Sequence, residues 1–183
     1  MVNMLADGLT LLRFLLVVVI LQVGVVRGPD EGLASVATLT VLAWITDVLD
    51  GPLARRARRP THLGRCDLVA DIALTLALAT CLVVWRVLPL LLVAGGLALA
   101  GLSARKLHMM APLQLAMGLI YGTYILTAWR TAPKWGRVMT GSVAGLALLN
   151  PQRAREQIRG FLNQMGSILG HVWSAFVGAD RRV

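Results

Sequence analysis

The sequence predicts an all-α membrane protein, a polytopic bundle of about six transmembrane helices followed by one amphipathic helix. Three observations carry this expectation. Hydrophobic residues make up 57% of the 183 residues and charged residues only 15%, whereas a soluble domain carries roughly 25% charged residues. The apolar residues fall into runs of the length that a bilayer demands, about 20 residues with a range near 17–25. The basic residues cluster between those runs and give a formal net charge of +9. Such a charge also suits nucleic acid, but beside apolar spans it points to anionic lipid or a phosphorylated substrate and away from nucleic acid. By length the chain is one domain or one membrane bundle.

The first span is read at residues 10–26, closed by Arg27-Gly28-Pro29-Asp30-Glu31. It reads as a retained span and not as a signal peptide, since it lacks a basic start, contains Arg13, and is followed by no small-x-small site. Residues 33–50 form the second span, and Gly51-Pro52 marks its end or a kink. Residues 66–85 form the third, 87–103 the fourth with Pro89 near its start, and 109–129 the fifth. Residues 138–150 are short for a sixth unless their flanks extend it. Cys66 and Cys81 have no metal-ligand spacing and read as small packing residues. The expected organisation is a transmembrane domain over residues 1–150 and an amphipathic helix with a basic tail over 151–183.

In that last segment Ile158, Phe161, Leu162, Met165, Ile168, Leu169, Val172, Trp173 and Phe176 draw one helical stripe, with Arg153, Arg155, Arg159 and Gln164 elsewhere on the wheel. Two readings stand: a helix lying in the membrane interface, or one packed on its own bundle or on a second subunit. Loop charge sets orientation. The loop over residues 55–65 carries five arginines and should face the cytoplasm, and Arg105-Lys106, two spans later, agrees. The acidic 28–31 connection belongs outside. Arg130, Lys134 and Arg137 dissent, lying where strict alternation expects the outer side. The expected location is the cell (inner) membrane, multi-pass, with the active site facing the cytoplasm.

Against this apolar background stand four acids: Asp47-Val-Leu-Asp50-Gly51-Pro-Leu-Ala54-Arg55, then Gly64-Arg-Cys-Asp67-Leu-Val-Ala-Asp71. A carboxylate at membrane depth costs about 2.5–3.5 kcal/mol on insertion scales, so an intramembrane cluster is a functional site by default. Asp47 and Asp50 are three apart and share a helix face; Asp67 and Asp71 are four apart and share a face of the next helix. The intervening loop returns the chain, so both pairs can meet near one membrane surface. Four carboxylates that close repel unless cations neutralise them. Oxygen-only ligands favour Mg²⁺ or Mn²⁺, and two such ions clamp both oxygens of a phosphoryl displacement. Gly51 and Gly64 clear the backbone for a nucleotide or pyrophosphate, and the Arg55 guanidinium fork matches phosphate oxygens. The plainer alternative is a set of interfacial acids neutralised by the loop arginines, which leaves the joint spacing of four acids, two glycines, Ala54 and Arg55 unexplained.

That spacing resembles the motif of the CDP-alcohol phosphotransferase family (CDP-alcohol phosphatidyltransferases), matched at every fixed position. The resemblance implies a six-span helical membrane enzyme, usually a homodimer, that displaces CMP from a CDP-linked lipid by an alcohol. It implies that Asp47, Asp50, Asp67 and Asp71 hold two metal ions, and that Asp71 also deprotonates the acceptor hydroxyl, which needs a base within hydrogen-bond reach. The run Asp7-Gly8-Leu9-Thr10-Leu11-Leu12-Arg13 is similar to the family's N-terminal element that lies against the cytidine diphosphate, and Thr61 matches a nucleotide-contacting hydroxyl. Asp7 equally suits a helix N-cap.

Leu-Thr-Leu-Leu-Arg13 resembles the branch that makes phosphatidylglycerophosphate or cardiolipin, although Leu68 and Ile72 stand where that branch often carries proline and lysine. The expected donor is CDP-diacylglycerol and the best acceptor glycerol 3-phosphate; cardiolipin synthesis or an acceptor such as inositol phosphate is the alternative. A phosphorylated acceptor needs a second cationic pocket, for which Arg65, Arg105 and Lys106, with Arg56, Arg58 and Arg59, are candidates. His62, His108 and His171 show no pairing for metal or acid–base work. Two rivals are a divalent-cation transporter, which would carry acids at mid-membrane and need no Gly51, Ala54 or Gly64, and an inactive family member acting as a scaffold, for which an acid should be missing.

Overall fold

A computed structural model describes residues 2–56, 66–107, 110–149, 151–152, 155–156, 158–160, 162–164 and 166, with side chains at 2–6, 50–56, 67 and 107 outside the description. Among the described residues all regular structure is helical: α1 (Val2–Arg56), α2 (Asp67–Val84), α3 (Leu90–Leu107), α4 (Ala111–Thr131) and α5 (Pro133–Leu149). α1 is two helices joined at Gly28, whose φ of 68° and ψ of −173° fall in a region essentially reserved for glycine. Pro29 restarts the helix at once, since its fixed φ and missing N–H suit a first-turn position. The connection expected over residues 28–31 therefore shrinks to a single non-helical residue.

Paired contacts give the directions. The first half of α1 runs alongside α2: Arg13 lies by Asp71, the Cys81 thiol donates to the Ile20 carbonyl at 3.9 Å, and Trp85 Nε1 donates to the Gly24 carbonyl at 2.8 Å. The second half of α1 runs back, with Val36 beside Gly24 and Asp47 beside Arg13. α4 runs parallel to α2, since Thr75 meets Tyr121 and Trp85 meets Tyr124. α5 turns back after Ala132, held by the Trp129 indole N–H donating to Thr140 Oγ1 at 3.0 Å. The end where α1 finishes and α2 begins, here called the acidic end, is thus also where α4 begins and α5 finishes.

Packing follows small residues. A Cβ on Gly24 would collide with Cys81 Sγ, and one on Gly136 would stand 2.8 Å from Trp129 Cα, so glycine is what lets α1 meet α2 and α5 meet α4. Both cysteines are free thiols, and Cys81 is buried in the core as a packing residue. The buried stripes are Thr10, Arg13, Val17 and Ile20, then Leu33, Val36, Ala37, Thr40 and Ala43, against Leu74, Leu78 and Leu82. The outside is apolar: Val18, Leu91, Leu99 and Leu148 are all exposed. A water-facing surface rarely carries so continuous an apolar patch. Two stretches, Asp7–Leu49 and Ala111–Thr131, are long and apolar enough to cross a membrane, with only 22% of each one's most apolar window buried.

Two expectations are corrected. The helix does not end at Gly51-Pro52 but continues to Arg56, and its only non-helical residue is Gly28; proline's φ is helical, so the ring costs a hydrogen bond without forcing a stop. Asp7 is no N-cap, because α1 begins at Val2 and Asp7 lies within it. The sixth segment starts earlier than the apolar run suggested, at Pro133, where proline again opens a helix.

α2 closes on Arg86 at φ 57°, a left-handed conformation costing an L residue roughly 1–2 kcal/mol. Arg86→Gly is expected to raise stability by about 1 kcal/mol, and Gly28→Ala to lower it by about 1–3 kcal/mol; thermal unfolding in detergent reads both.

Candidate active site

Arg13 is the largest fully buried side chain, at 0% exposure. It sits one turn beyond Thr10 on the buried stripe of α1, too deep in an apolar wall to be solvated, so it must be paired. Its Nη1 lies 3.2 Å from Asp47 Oδ1 and 3.6 Å from Asp71 Oδ1. Asp47 comes from the returning half of α1 and Asp71 from the first turns of α2, so one guanidinium gathers three helical segments. The two carboxylates keep 30% and 42% of their side-chain surface open. Their inner side is thus closed by Arg13, while their outer side is accessible to a ligand.

A polar support stands behind them. The Thr75 hydroxyl donates to the Asp71 carbonyl at 2.8 Å and lies 3.4 Å from the Tyr121 hydroxyl. Trp44 packs edge-on against Tyr121 at 5.8 Å between centroids, an arrangement aromatic pairs favour. Thr46, next to Asp47, donates back to the Ala43 carbonyl at 2.8 Å, and Thr40 does the same to Val36. The hydroxyls of Thr40, Thr46 and Thr75 are thereby each satisfied on their own helix.

The remaining expected residues divide. Thr10 is buried within the bundle and Asp7 is half-buried three residues before it on the same helix. Asp50, Gly51, Ala54 and Arg55 lie on the helical backbone of α1 and Asp67 opens α2, but their side chains are outside the description. Thr61, Gly64, Arg65, Arg58, Arg59 and all three histidines fall outside the described residues. Arg105 and Lys106 are exposed in the last turn of α3, at the acidic end, and no described ion pair joins them to Asp47 or Asp71. Among the described residues no group of three His, Cys, Asp or Glu side chains is poised for a metal.

The sequence placed Arg13 at the end of the Asp7–Arg13 element expected against the cytidine diphosphate, but not as the partner of Asp47 and Asp71. The signal was available, since a charge at that depth marks a function as an acid does. Thr75, Tyr121 and Trp44 carried none, being ordinary residues of apolar helices.

A family model described as CDP-alcohol phosphatidyltransferase matches residues 3–165. The chain belongs to that family. No curated protein and no solved structure matches it. A CDP-alcohol phosphatidyltransferase is a transferase of substituted phosphate groups that moves a phosphatidyl group from a CDP-alcohol to an acceptor in phospholipid biosynthesis. Its family consists of membrane enzymes, generally dependent on divalent metal. A transporter reading gives way to this match.

Removing one partner of a buried ion pair costs about 3–5 kcal/mol. Arg13→Ala is expected to cost about 3 kcal/mol, the low end because both acids are partly open. Asp47→Ala added to it should cost less than the sum of the two single changes, since they share one contact; unfolding midpoints of the three variants check this.

Proposed function

We propose that this phosphatidyltransferase transfers the phosphatidyl group of CDP-diacylglycerol to an alcohol, with glycerol 3-phosphate as the best acceptor, and releases CMP. The observation that carries the reading is the single Arg13 nitrogen shared by Asp47 and Asp71. It means that motif carboxylates from two different helices aim at one point and select positive charge there. A divalent ion suits such a donor set, being all carboxylate oxygen and open on one side. Asp47, Asp50, Asp67 and Asp71 would hold two ions, Mg²⁺ or Mn²⁺. Ions so held would supply charge neutralisation for the donor pyrophosphate and the departing CMP.

The chain's own groups divide the remaining work. Asp71, with 42% of its side chain open, takes the proton of the acceptor hydroxyl as its oxygen bonds to the phosphorus nearest the lipid and the bond to CMP breaks. Thr75 fixes the Asp71 backbone, and Arg13 fixes the direction of both carboxylates, so orientation precedes chemistry. Asp7, Thr10, Gly51, Ala54, Arg55, Thr61 and Gly64 hold the CDP moiety, and Arg65, Arg105 and Lys106 the acceptor phosphate. A groove of about 350 Å³ between α1 and α5, lined by Ile45, Val48, Leu49, Leu146 and Leu149, lies at the acidic end on the face of α1 turned away from Asp47; the lipid donor would enter sideways from the bilayer. The bundle crosses the inner membrane with six helical segments as a homodimer, its acidic end towards the cytoplasm with the five-arginine loop.

Purified protein incubated with CDP-diacylglycerol, Mn²⁺ and a panel of acceptors should release CMP, most strongly with glycerol 3-phosphate. Asp71→Asn is expected to lower kcat by about 10²-fold or more, the scale of a lost general base, whereas Asp30→Asn at the opposite end should leave it unchanged. No CMP with any acceptor would sink the reading. Mn²⁺ should also raise the unfolding temperature of the wild type but not of an Asp47→Asn/Asp71→Asn variant, since only the state that binds the ion is stabilised.

A further inference from the structure

α3 runs into the acidic end and α4 runs out of it, and a furrow of about 460 Å³ lies between them. Its floor is Val93 and Ala100 of α3 with Ile120 of α4, all buried. Leu92 and Leu99 form one rim and Leu115 and Leu119 the other, all four exposed. Gly96 lies between floor and rim, and a Cβ there would meet nothing within 4 Å. Small residues thus leave an open channel where larger ones would close it. Such a space does not stay empty in a bilayer, because unfilled walls forfeit their dispersion contacts.

The furrow is apolar along its length and polar at the acidic end. Thr123, at the far end, donates to the Leu119 carbonyl at 2.7 Å and has no proton to offer. Ser103, half-buried in the α3 wall at the acidic end, makes no such bond to its own helix or to any other described residue. Lys106 is exposed one turn beyond Ser103. It stands on the rim of Leu92 and Leu99, because these three follow one another at intervals of seven residues and so share one side of the helix; Arg105 falls on the opposite side of α3. From Leu92 to Ser103, and from Pro112 to Thr123, each wall runs about 17 Å. One leaflet is about half of a 30 Å hydrocarbon core, so the two lengths agree.

We infer that the furrow holds one acyl chain of a phospholipid from the leaflet at the acidic end, its ester carbonyl accepting the Ser103 Oγ–H and its phosphate beside Lys106. Hydrocarbon, ester and phosphate follow one another along a phospholipid in the order in which apolar wall, free hydroxyl and cation follow one another here. A helix of a second copy would fill the same space less well. Its backbone carbonyls are engaged within itself, and a two-fold pairing on this face would bring two Lys106 rims together. With three N–H donors, Lys106 can serve a lipid phosphate as well as the acceptor's. The inference rests on the reading that the bundle spans a membrane, but not on the identity of the acceptor.

Native mass spectrometry of the purified protein, titrated with phosphatidylglycerol in mild detergent, tests it. One lipid should bind several-fold more tightly than every later copy. Gly96→Leu fills the furrow where a side chain has room and should abolish that tight copy. Gly101→Leu adds the same bulk outside the furrow, also in open space, and should keep it. Ser103→Ala and Lys106→Ala should each weaken it several-fold. Absence of a tight copy overturns the inference, and so does a tight copy that survives Gly96→Leu. A dimer that Gly96→Leu dissociates while the lipid count holds would overturn it too, since a second copy then fills the furrow. Unchanged affinity in Ser103→Ala and Lys106→Ala overturns the placement of ester and phosphate. The later, weaker copies report separately on the membrane reading: no bound lipid at all strikes that reading, whereas weak copies without a tight one strike only the furrow.

Discussion

A buried arginine in an apolar bundle is unstable unless carboxylates surround it, and carboxylates on adjacent helices repel unless a cation separates them. Arg13, Asp47 and Asp71 answer both constraints at one point, with contacts of 3.2 and 3.6 Å. The arrangement of the rest follows. The first half of α1 must lie along α2 to bring Arg13 to Asp71, and the second half must return to bring Asp47. Glycine at 24 lets the first half of α1 approach α2 closely enough. The ion pairs are therefore both a condition of the fold and the inner wall of the site.

Much of this was legible in the sequence, for identifiable reasons. The apolar runs gave the helices, because a bilayer leaves backbone groups no other partner. The expectation that acids from two successive helices meet at one end was legible for Asp47 and Asp71, which share the Arg13 guanidinium, because the loop between them returns the chain. Less legible were features set by tertiary contact. Nothing local distinguishes Gly28 as a single-residue break from a four-residue loop, or shows that a helix will continue through Gly51-Pro52. Thr75, Tyr121 and Trp44 support the site through contacts between helices, and such contacts leave no period in any one of them.

The polar groups behind the carboxylates also bear on the proposed chemistry. Thr75 ties to the Asp71 backbone and lies beside Tyr121, and Trp44 braces that ring. A carboxylate within a helix has its position set by the helix and its rotation set by what packs against it. Here the packing is aromatic and threonine-rich, stiff enough to hold direction and apolar enough to keep water from the inner side.

The one-residue break at Gly28 ties the two halves of α1 into a hairpin whose register cannot slip. Arg13 and Asp47 stand on opposite arms, some 20 Å or more from that bend at about 1.5 Å per residue. An added or deleted residue at the bend would turn one arm by roughly 100° relative to the other and swing Asp47 off the guanidinium. The far side of the bundle thereby governs the alignment of charges at the near side, so length variation at that bend should be as damaging as a change among the acids themselves.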